Sequence, residues 1–377
     1  MGHHPACPFG AHPNDLMLLL LALVPVGEVA SHSSHGPGLC RTCISHDISP
    51  FIRYSYLALV LTERKLIAGI RRLANKPANR AVIQGIGDDC AILRLKPGNE
   101  LLVTTDLCIE KVHFRREWHP PASVGHRCMA RGLSDIAAMG GEPLACFLSL
   151  GVPASLPQKW VDQFLQGLHH LAAQHGVQLA GGDTSAARDI TADIIVTGQV
   201  PTGKALLRSG ARPGDHLYVT GALGLSAAVL KQLYAGKKVK PGKSSHHFYP
   251  VPRVEAGQRL RRRGVCTAMI DISDGLSVDL AHICEESGVA ATIHEAAVPV
   301  AAGADLKSAL HGGDDYELLF AVRKGAKLPS RIGGLKITKI GVIEKRTNSR
   351  PQIGIVDDQE QTRPLAPLGW QHFSKRG

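Results

Sequence analysis

Between Ile86 and Asp106 the chain reads Ile-Gly-Asp-Asp-Cys-Ala, then an apolar run, then Leu-Leu-Val-Thr-Thr-Asp. Two acidic segments are thus separated by about one strand's length. Gly87 frees the backbone to bend, and Asp88 and Asp89 follow at once, where a turn is favoured. Residues 100–103 read as a buried strand that delivers Thr104, Thr105 and Asp106 to its end. Such a gathering is costly alone: two carboxylates about 5 Å apart repel by roughly 3 kcal/mol at an effective dielectric near 20. Hard oxygen ligands of this kind suit Mg²⁺ or Mn²⁺. An isolated Asp-Asp pair is equally a solvated loop, so the argument rests on recurrence.

The device does recur. Leu133-Ser134-Asp135-Ile136 falls inside an expected helix over 123–139, where Asp135 is either a solvent-facing acid or a third ligand. A short strand over 177–180 empties into Gly181-Gly182-Asp183-Thr184-Ser185, whose glycines permit close backbone approach to a phosphate. A strand over 267–272 ends in Asp271-Ile272-Ser273-Asp274-Gly275, with Ser273 placed to cap the next helix. Gly312-Gly313-Asp314-Asp315-Tyr316-Glu317 precedes a strand over 318–322.

These segments need elements to hold them. Thr62 caps an expected helix with the stripe Leu66, Ile67, Ile70 and Leu73, and Pro77 lies just beyond its end. Ser155 opens another by a capping-box pattern with Gln158, and Gly176 stops it. Strand 216–220, the turn 221–224 and a helix from Ser226 open the second half. Gly198 to Lys204 copies the start of a P-loop, but Ala205 replaces the hydroxyl residue and Arg208-Ser209-Gly210 breaks the helix that should follow. Arg208 is better read as a phosphate clamp, because its planar fork matches phosphate oxygens.

With 377 residues, 44% hydrophobic, 40 Gly and 5% aromatic, the composition is that of an α/β protein with many tight turns. The formal charge of +11 fits small phosphorylated anions. No aromatics interleave the basic run Arg259 to Arg263, which argues against nucleic acid. Residues 1–60 differ in kind. Their apolar run Leu16 to Val26 is too short to span a bilayer, the preceding region lacks Lys and Arg, and Cys40-x-x-Cys43 with His35 and His46 is at most half a zinc site. This extension reads as disordered or as a misassigned start. The remaining cysteines read as reduced core thiols of a cytoplasmic protein.

Taken together, Gly-Ile-Gly-Asp-Asp-Cys-Ala, Thr-Thr-Asp, Leu-Ser-Asp-Ile-Ala-Ala-Met-Gly, Gly-Gly-Asp-Thr, Asp-Ile-Ser-Asp-Gly-Leu and Gly-Gly-Asp-Asp-Tyr-Glu-Leu resemble the motif set of thiamine-monophosphate kinases, over about 62–373. That family shares a superfamily with aminoimidazole ribonucleotide synthetase and selenophosphate synthetase. The resemblance implies a two-domain α/β fold: an ATP- and Mg-binding domain over 61–203 that dimerises through its sheet, and an α/β domain over 204–377. It implies ATP-dependent phosphorylation of thiamine monophosphate to thiamine diphosphate by a homodimer with several Mg²⁺ ions, and neither nucleic acid nor membrane as partner. Carried over by motif, Asp89, Thr104, Thr105, Asp106, Asp135, Asp183, Asp271 and Asp274 look like metal ligands. Gly182, Asp183, Arg208 and Ser273 look like ATP contacts, and His113, Asp314 and Trp370 like acceptor contacts. The family usually has Glu where this chain has Asp314. The implied reaction is direct in-line transfer rather than passage through a phosphoenzyme on His113, with the aspartates as metal holders and no separate catalytic side chain. The alternatives are another ATP-dependent superfamily member with a different acceptor, or an inactive nucleotide- and metal-binding homologue.

Overall fold

The computed structural model describes residues 63–74, 79–86, 90–242, 245–349 and 351–370. The extension over 1–60, Thr62, Pro77 and Asp89 lie outside them. Helix α1 (Glu63–Ala74) buries Leu66 while Ile67 stays exposed. It is followed by the short antiparallel pair β1 (Val82–Gln84) and β2 (Ile92–Leu93).

The first sheet is built from β3 (Asn99–Ile109), then after helix α2 (Pro121–Ala138) from β4 (Glu142–Val152), and after helix α3 (Gln158–Gln174) from β5 (Gln178–Ala186) and β6 (Thr191–Pro201). Its strand order is β3-β6-β4-β5, antiparallel except for β4 with β5. Both helices cover one face. Gly125 and Gly167 let them approach closely: a Cβ on Gly125 would lie 1.9 Å from the Phe164 carbonyl oxygen, and one on Gly167 1.9 Å from that of Ala122. The other face of the sheet's edge strand is open, with Leu101, Val103 and Leu107 exposed at 47%, 61% and 49%.

The second half runs β7 (His216–Thr220), α4 (Leu225–Tyr234), α5 (Val254–Arg263), β8 (Cys266–Ile272), α6 (Leu276–Ser287), β9 (Ala290–His294), α7 (Leu306–His311), β10 (Glu317–Val322), β11 (Arg331–Ile332), β12 (Leu335–Glu344), β13 (Ile353–Val356) and β14 (Thr362–Pro364). The strands form one sheet in the order β14-β13-β9-β12-β7-β10-β8, with β11 against β12. Its strands are antiparallel apart from β9 with β13. This is the two-sheet α/β organisation that the sequence led us to expect.

Helix α2 is the shared wall. It packs on α3, β3 and β6 on one side and on α5, β8 and β10 on the other, which is why 14 of its residues are buried. A helix enclosed on both sides has no solvent face for its polar residues, so each must find a partner.

Several local expectations are corrected. Thr104, Thr105 and Asp106 do not end a strand, because β3 continues to Ile109 in unbroken register with β6. Gly181 to Ser185 is likewise strand, since β5 pairs with β4 as far as Ala186. Gly182 is needed there, at φ 146°, because a Cβ would lie 2.0 Å from the Leu148 carbonyl oxygen. No capping box forms at Ser155: α3 starts at Gln158 behind Pro157, and Gln158 Nε2 instead donates to Asp162 Oδ1 at 2.8 Å. Nor does Ser273 cap α6. Its N-cap is Gly275, and Asp279 Oδ2 accepts from the backbone N–H groups of Asp274 and Gly275 at 3.2 and 3.0 Å.

Candidate active site

Helix α2 presents Arg127, Arg131, Ser134 and Asp135 along one stripe, at the i, i+4, i+7 and i+8 spacing of a single helix face. Strand β3 alternates, so Thr104 and Asp106 face this helix while Thr105 turns to the open side of the sheet. From the second half, β8 brings Asp271 to its C-terminal end, and the loop between α7 and β10 brings Asp314 and Tyr316. Of these, Asp106, Arg131, Asp135, Asp271, Asp314 and Tyr316 line a cleft of about 780 Å³ together with Thr105, His113, Ser273, Asp274 and Trp370, while Thr104, Arg127 and Ser134 lie behind its wall.

At one end sit three acids. Thr104 Oγ1 donates to Asp135 Oδ2, and Ser134 Oγ donates to Asp271 Oδ2 at 2.6 Å. Burial, then the charges of Asp271 and Asp106, push the Asp135 carboxyl up to about 7. Burial first, with Asp106 adding to it, raises Asp271 to about 6. Carboxylates that resist ionisation in each other's company, flanked by a hydroxyl, are a hard-oxygen donor set for a divalent cation, which would supply the missing positive charge. Asp106 is already half neutralised, accepting from Arg131 Nε and Nη2 at 3.2 and 3.0 Å.

Arg131 joins this end to Asp314. Its Nη1 lies 3.3 Å from the Tyr316 hydroxyl and 3.9 Å from Asp314 Oδ1. Tyr316 donates to Asp314 Oδ1 at 2.7 Å, and Arg127 Nη2 donates to Asp314 Oδ2 at 2.8 Å. Burial alone would raise the Asp314 carboxyl, but Arg127 and Arg131 outweigh it and hold the group well below the ordinary carboxylate range. Arg127 also donates to the carbonyls of His113 and His247. Asp314 is thus committed to two guanidiniums and a phenol. Its backbone is unusual too, at φ 64°, where its N–H donates to the Ser273 carbonyl at 2.8 Å.

The other expected residues divide. His113 lines the cleft and accepts the Ile109 N–H on Nδ1 at 3.0 Å. Trp370 lines it too, tethered by its N–H to the Asp274 carbonyl at 2.9 Å. Ligand atoms of Asp274, Asp279 and His282 lie within 4.8 Å of one another, a second oxygen-and-nitrogen set beside the first. Gly182, Asp183 and Arg208 are not in the cleft lining. Asp183 is exposed and accepts from the Thr184 N–H at 2.8 Å, in register with Ser149 on the open face of the sheet. Thr105 shares that face, where its hydroxyl donates to Asp193 at 2.6 Å. Arg208 is exposed, yet near enough for its charge to lower both Asp135 and Asp271.

Sequence reasoning missed Arg127, Arg131 and Tyr316. The signal was present: two arginines one turn apart, then Ser134 and Asp135, on a helix whose remaining residues are mostly apolar or small. Such charges are retained inside a packed helix only when they are paired.

Residues 87–200 match the family described as AIR synthase related protein, N-terminal domain, and residues 212–354 match its C-terminal domain counterpart. The thiamine-monophosphate kinase of Salmonella typhimurium is 39% identical over 275 residues, covering 68% of this chain and 83% of the relative. That of Bacillus subtilis is 35% identical over 310 residues, covering 77% and 93%. Among solved structures, thiamine-monophosphate kinase from Stenotrophomonas maltophilia superposes with a TM-score of 0.68 at 33% identity, covering 80% of this chain and 98% of that one. AaThiL complexed with AMPPCP and TMP superposes with a TM-score of 0.64 at 29% identity, covering 82% and 97%.

Proposed function

Because this chain belongs to the thiamine-monophosphate kinase family, within the AIR synthase related proteins, we propose that it transfers the γ-phosphoryl group of ATP to thiamine monophosphate, giving thiamine diphosphate. The observation that carries the reading is the convergence of Asp106, Asp135 and Asp271 at one end of a single cleft, with aromatic and cationic side chains along the remainder. Phosphoryl transfer between two anions depends on positioning and charge neutralisation, and the cleft offers both.

Mg²⁺ fits the acid end. Asp106, Asp135 and Asp271 would hold it with Thr104, and Asp89, Thr105, Asp183 and Asp274 complete the set that the family motifs suggest. Bound there, it supplies positive charge against the phosphate oxygens. The protein's own groups do the remainder. Thr104 and Ser134 orient the carboxylates they donate to, and Arg131 fixes Asp106. Asp314 pairs with the buried Arg127 and lies near Arg131, which lines the cleft, so that its part in recognition includes aiming the Arg131 guanidinium. The acceptor phosphate is already ionised, so in-line attack needs no strong general base. His113 and Trp370 contact the acceptor, and Gly182, Asp183, Arg208 and Ser273 the nucleotide.

We further assign residues 61–203 and 204–377 to two domains, the protein to the cytoplasm and the assembly to a homodimer. The exposed Leu101, Val103 and Leu107 supply an apolar surface for a second copy. Among the described residues no helix is long and apolar enough to cross a membrane.

Incubation with ATP, Mg²⁺ and thiamine monophosphate, with direct detection of thiamine diphosphate, tests the assignment. Product that depends on all three is expected. ATP consumption without thiamine diphosphate would move the protein to another acceptor in the same superfamily, and metal and nucleotide binding without turnover would make it an inactive homologue.

A further inference from the structure

The basic run at the end of α5 takes no part in the cleft. Arg259, Arg262 and Arg263 stand at the i, i+3 and i+4 positions of one helix face. Opposite them Arg331 on β11, with Ile332 and Gly333, closes a separate hollow of about 280 Å³ that shares no lining residue with the cleft. Arginines in the last turn of a helix have an ordinary use, since they complement the negative end of its dipole. That accounts for α5 but not for a fourth guanidinium brought to the same hollow by a different element. Arg331 also stands directly across its hairpin from Lys336, an opposition of like charges that is itself unfavourable.

The four cations are far from neutralised. Arg259 is paired, its Nε and Nη2 lying 2.8 and 2.6 Å from Glu255 Oε1. Arg331 donates through Nη1 to the Gly334 carbonyl at 2.7 Å, which uses one arm of its fork and none of its charge. Arg262 and Arg263 are exposed, and their guanidiniums have neither an ion pair nor a hydrogen bond among the described residues. Both walls of the hollow are nevertheless fixed. Leu260 and Ile332 are buried in one hydrophobic cluster. The inner side of α5 is tied to the end of α2, where Arg261 Nε and Gln258 Nε2 donate to the Gly140 and Gly141 carbonyls at 2.8 and 3.0 Å. Gly333 and Gly334, at φ 57° and 81°, make the tight turn that sets Arg331 beside α5. A frame held by packing loses little freedom when a ligand binds.

We propose that this hollow is a second anion site, separate from the cleft, for a condensed phosphate: a compact anion with two or three linked phosphoryl groups. Planar guanidinium forks match phosphate oxygens two at a time, and several forks converging from two walls suit more than one phosphoryl group. The hollow is smaller than ordinary pockets for drug-sized molecules, and its lining contains no aromatic ring. It therefore recognises the phosphate chain and not a base or heterocycle attached to it. That chemistry has two sources, free pyrophosphate and the phosphate tail of a larger ester such as a nucleoside triphosphate or thiamine diphosphate. The inference does not depend on the phosphoryl-transfer reading above.

The probe is inorganic pyrophosphate, titrated calorimetrically into the full chain at low ionic strength with a chelator present, so that a metal-dependent cleft does not compete. Saturable binding is expected. Arg262→Gln combined with Arg263→Gln, both at exposed positions, leaves Tm little changed and raises Kd about tenfold or more. Arg331→Gln, on the other wall, weakens binding in the same direction without touching α5. Lys237→Gln combined with Lys238→Gln removes the same charge from another exposed stretch and leaves Kd within about twofold. Competition then identifies the source: displacement by ATP or by thiamine diphosphate assigns the site to that tail, and displacement by neither assigns it to the free anion. Absence of saturable binding, a Kd unmoved in the arginine variants, or an equal loss in the lysine control, which would reduce the effect to diffuse surface charge, overturns the proposal. The turnover assay reads the metal-loaded cleft, so either result can fail without the other.

Discussion

Asp135→Asn should move stability and turnover in opposite directions. In the metal-free protein the carboxyl is raised from 3.8 to about 7. A folded-state value above the unfolded one means that ionisation opposes folding: the penalty is absent below about pH 4, grows as the pH rises toward 7, and is constant above. At about 1.4 kcal/mol per pH unit that interval corresponds to roughly 4 kcal/mol. Asp271 and Asp106 share the strain, so neutralising one member recovers only part of it, about 1–3 kcal/mol, or a gain of about 2–6 °C in Tm at pH 8 for a chain of this size. Asparagine keeps a carbonyl oxygen to accept the Thr104 hydroxyl, so the local geometry survives. Turnover should nevertheless fall on the order of 10³-fold, because a ligand for the charge that shifts in the transition state is lost. The assays are thermal melts of chelator-treated protein from pH 4 to 8 and initial rates at saturating Mg²⁺. A variant whose stability falls less steeply than the wild type's between pH 4 and 8 is the expected pattern, since Asp271, raised to about 6, still opposes folding as it ionises. Near-normal turnover, or a variant less stable than the wild type at pH 8, would refute the view that these acids are held apart for a cation.

Trp370→Ala should raise KM for thiamine monophosphate roughly tenfold while leaving KM for ATP and Tm little changed, since its backbone tether to Asp274 remains; a large fall in Tm with unchanged KM would make the ring a clasp for the C-terminal segment. Asp314→Asn should cost about 3–5 kcal/mol in denaturant unfolding, because the Arg127 side chain, only 3% exposed, loses its charge partner, whereas Asp314→Glu keeps the charge and should hold activity within a few fold. Gly125→Ala, which in an ordinary helix would stabilise by about 1 kcal/mol, should lower Tm by several degrees, because its Cβ would sit 1.9 Å from the Phe164 carbonyl oxygen; an unchanged or higher Tm would mean that α2 and α3 separate freely.

Much of this was legible in the sequence, and the misses share a cause. Strand β7 falls on the expected residues, and β8 and β10 begin within one residue of expectation, because turn-forming or charged segments bound each apolar run. Where the expectation failed, local propensity pointed to a turn and pairing overruled it. Thr104 to Asp106 stays in a strand because β6 offers a full register to Thr191, and Gly181 to Ser185 because β4 does the same. Propensity sees neighbours in the chain, while a ladder is decided by a partner about 90 residues away in the first case and about 35 in the second. Ser273 failed as a cap for a related reason. The acid that takes the orphan N–H groups, Asp279, sits inside the helix it starts, where a pattern search places no cap.

The motif set named the acids but not their arrangement, and arrangement is what distinguishes them chemically. Because β3 is a strand, its period of two splits the Thr-Thr-Asp motif between two faces: Thr104 and Asp106 join Asp135 and Asp271 beside α2, while Thr105 joins Asp193 and the row containing Asp183 on the open side. Among the described residues, the oxygen ligands that the motifs suggest therefore lie on two faces of the sheet within a single chain. Of those facing α2, Asp135 and Asp271 are dehydrated and resist ionisation. Asp183 on the open face is exposed and already occupied by the Thr184 N–H. Asp314 makes the same point from the other side. Its motif reads as a glycine-freed acid awaiting substrate, yet two arginines from a helix nearly 190 residues earlier have claimed it. A buried guanidinium cannot be left without a counter-charge, so the acid that steadies Arg127 and Arg131 meets an acceptor only in company with them.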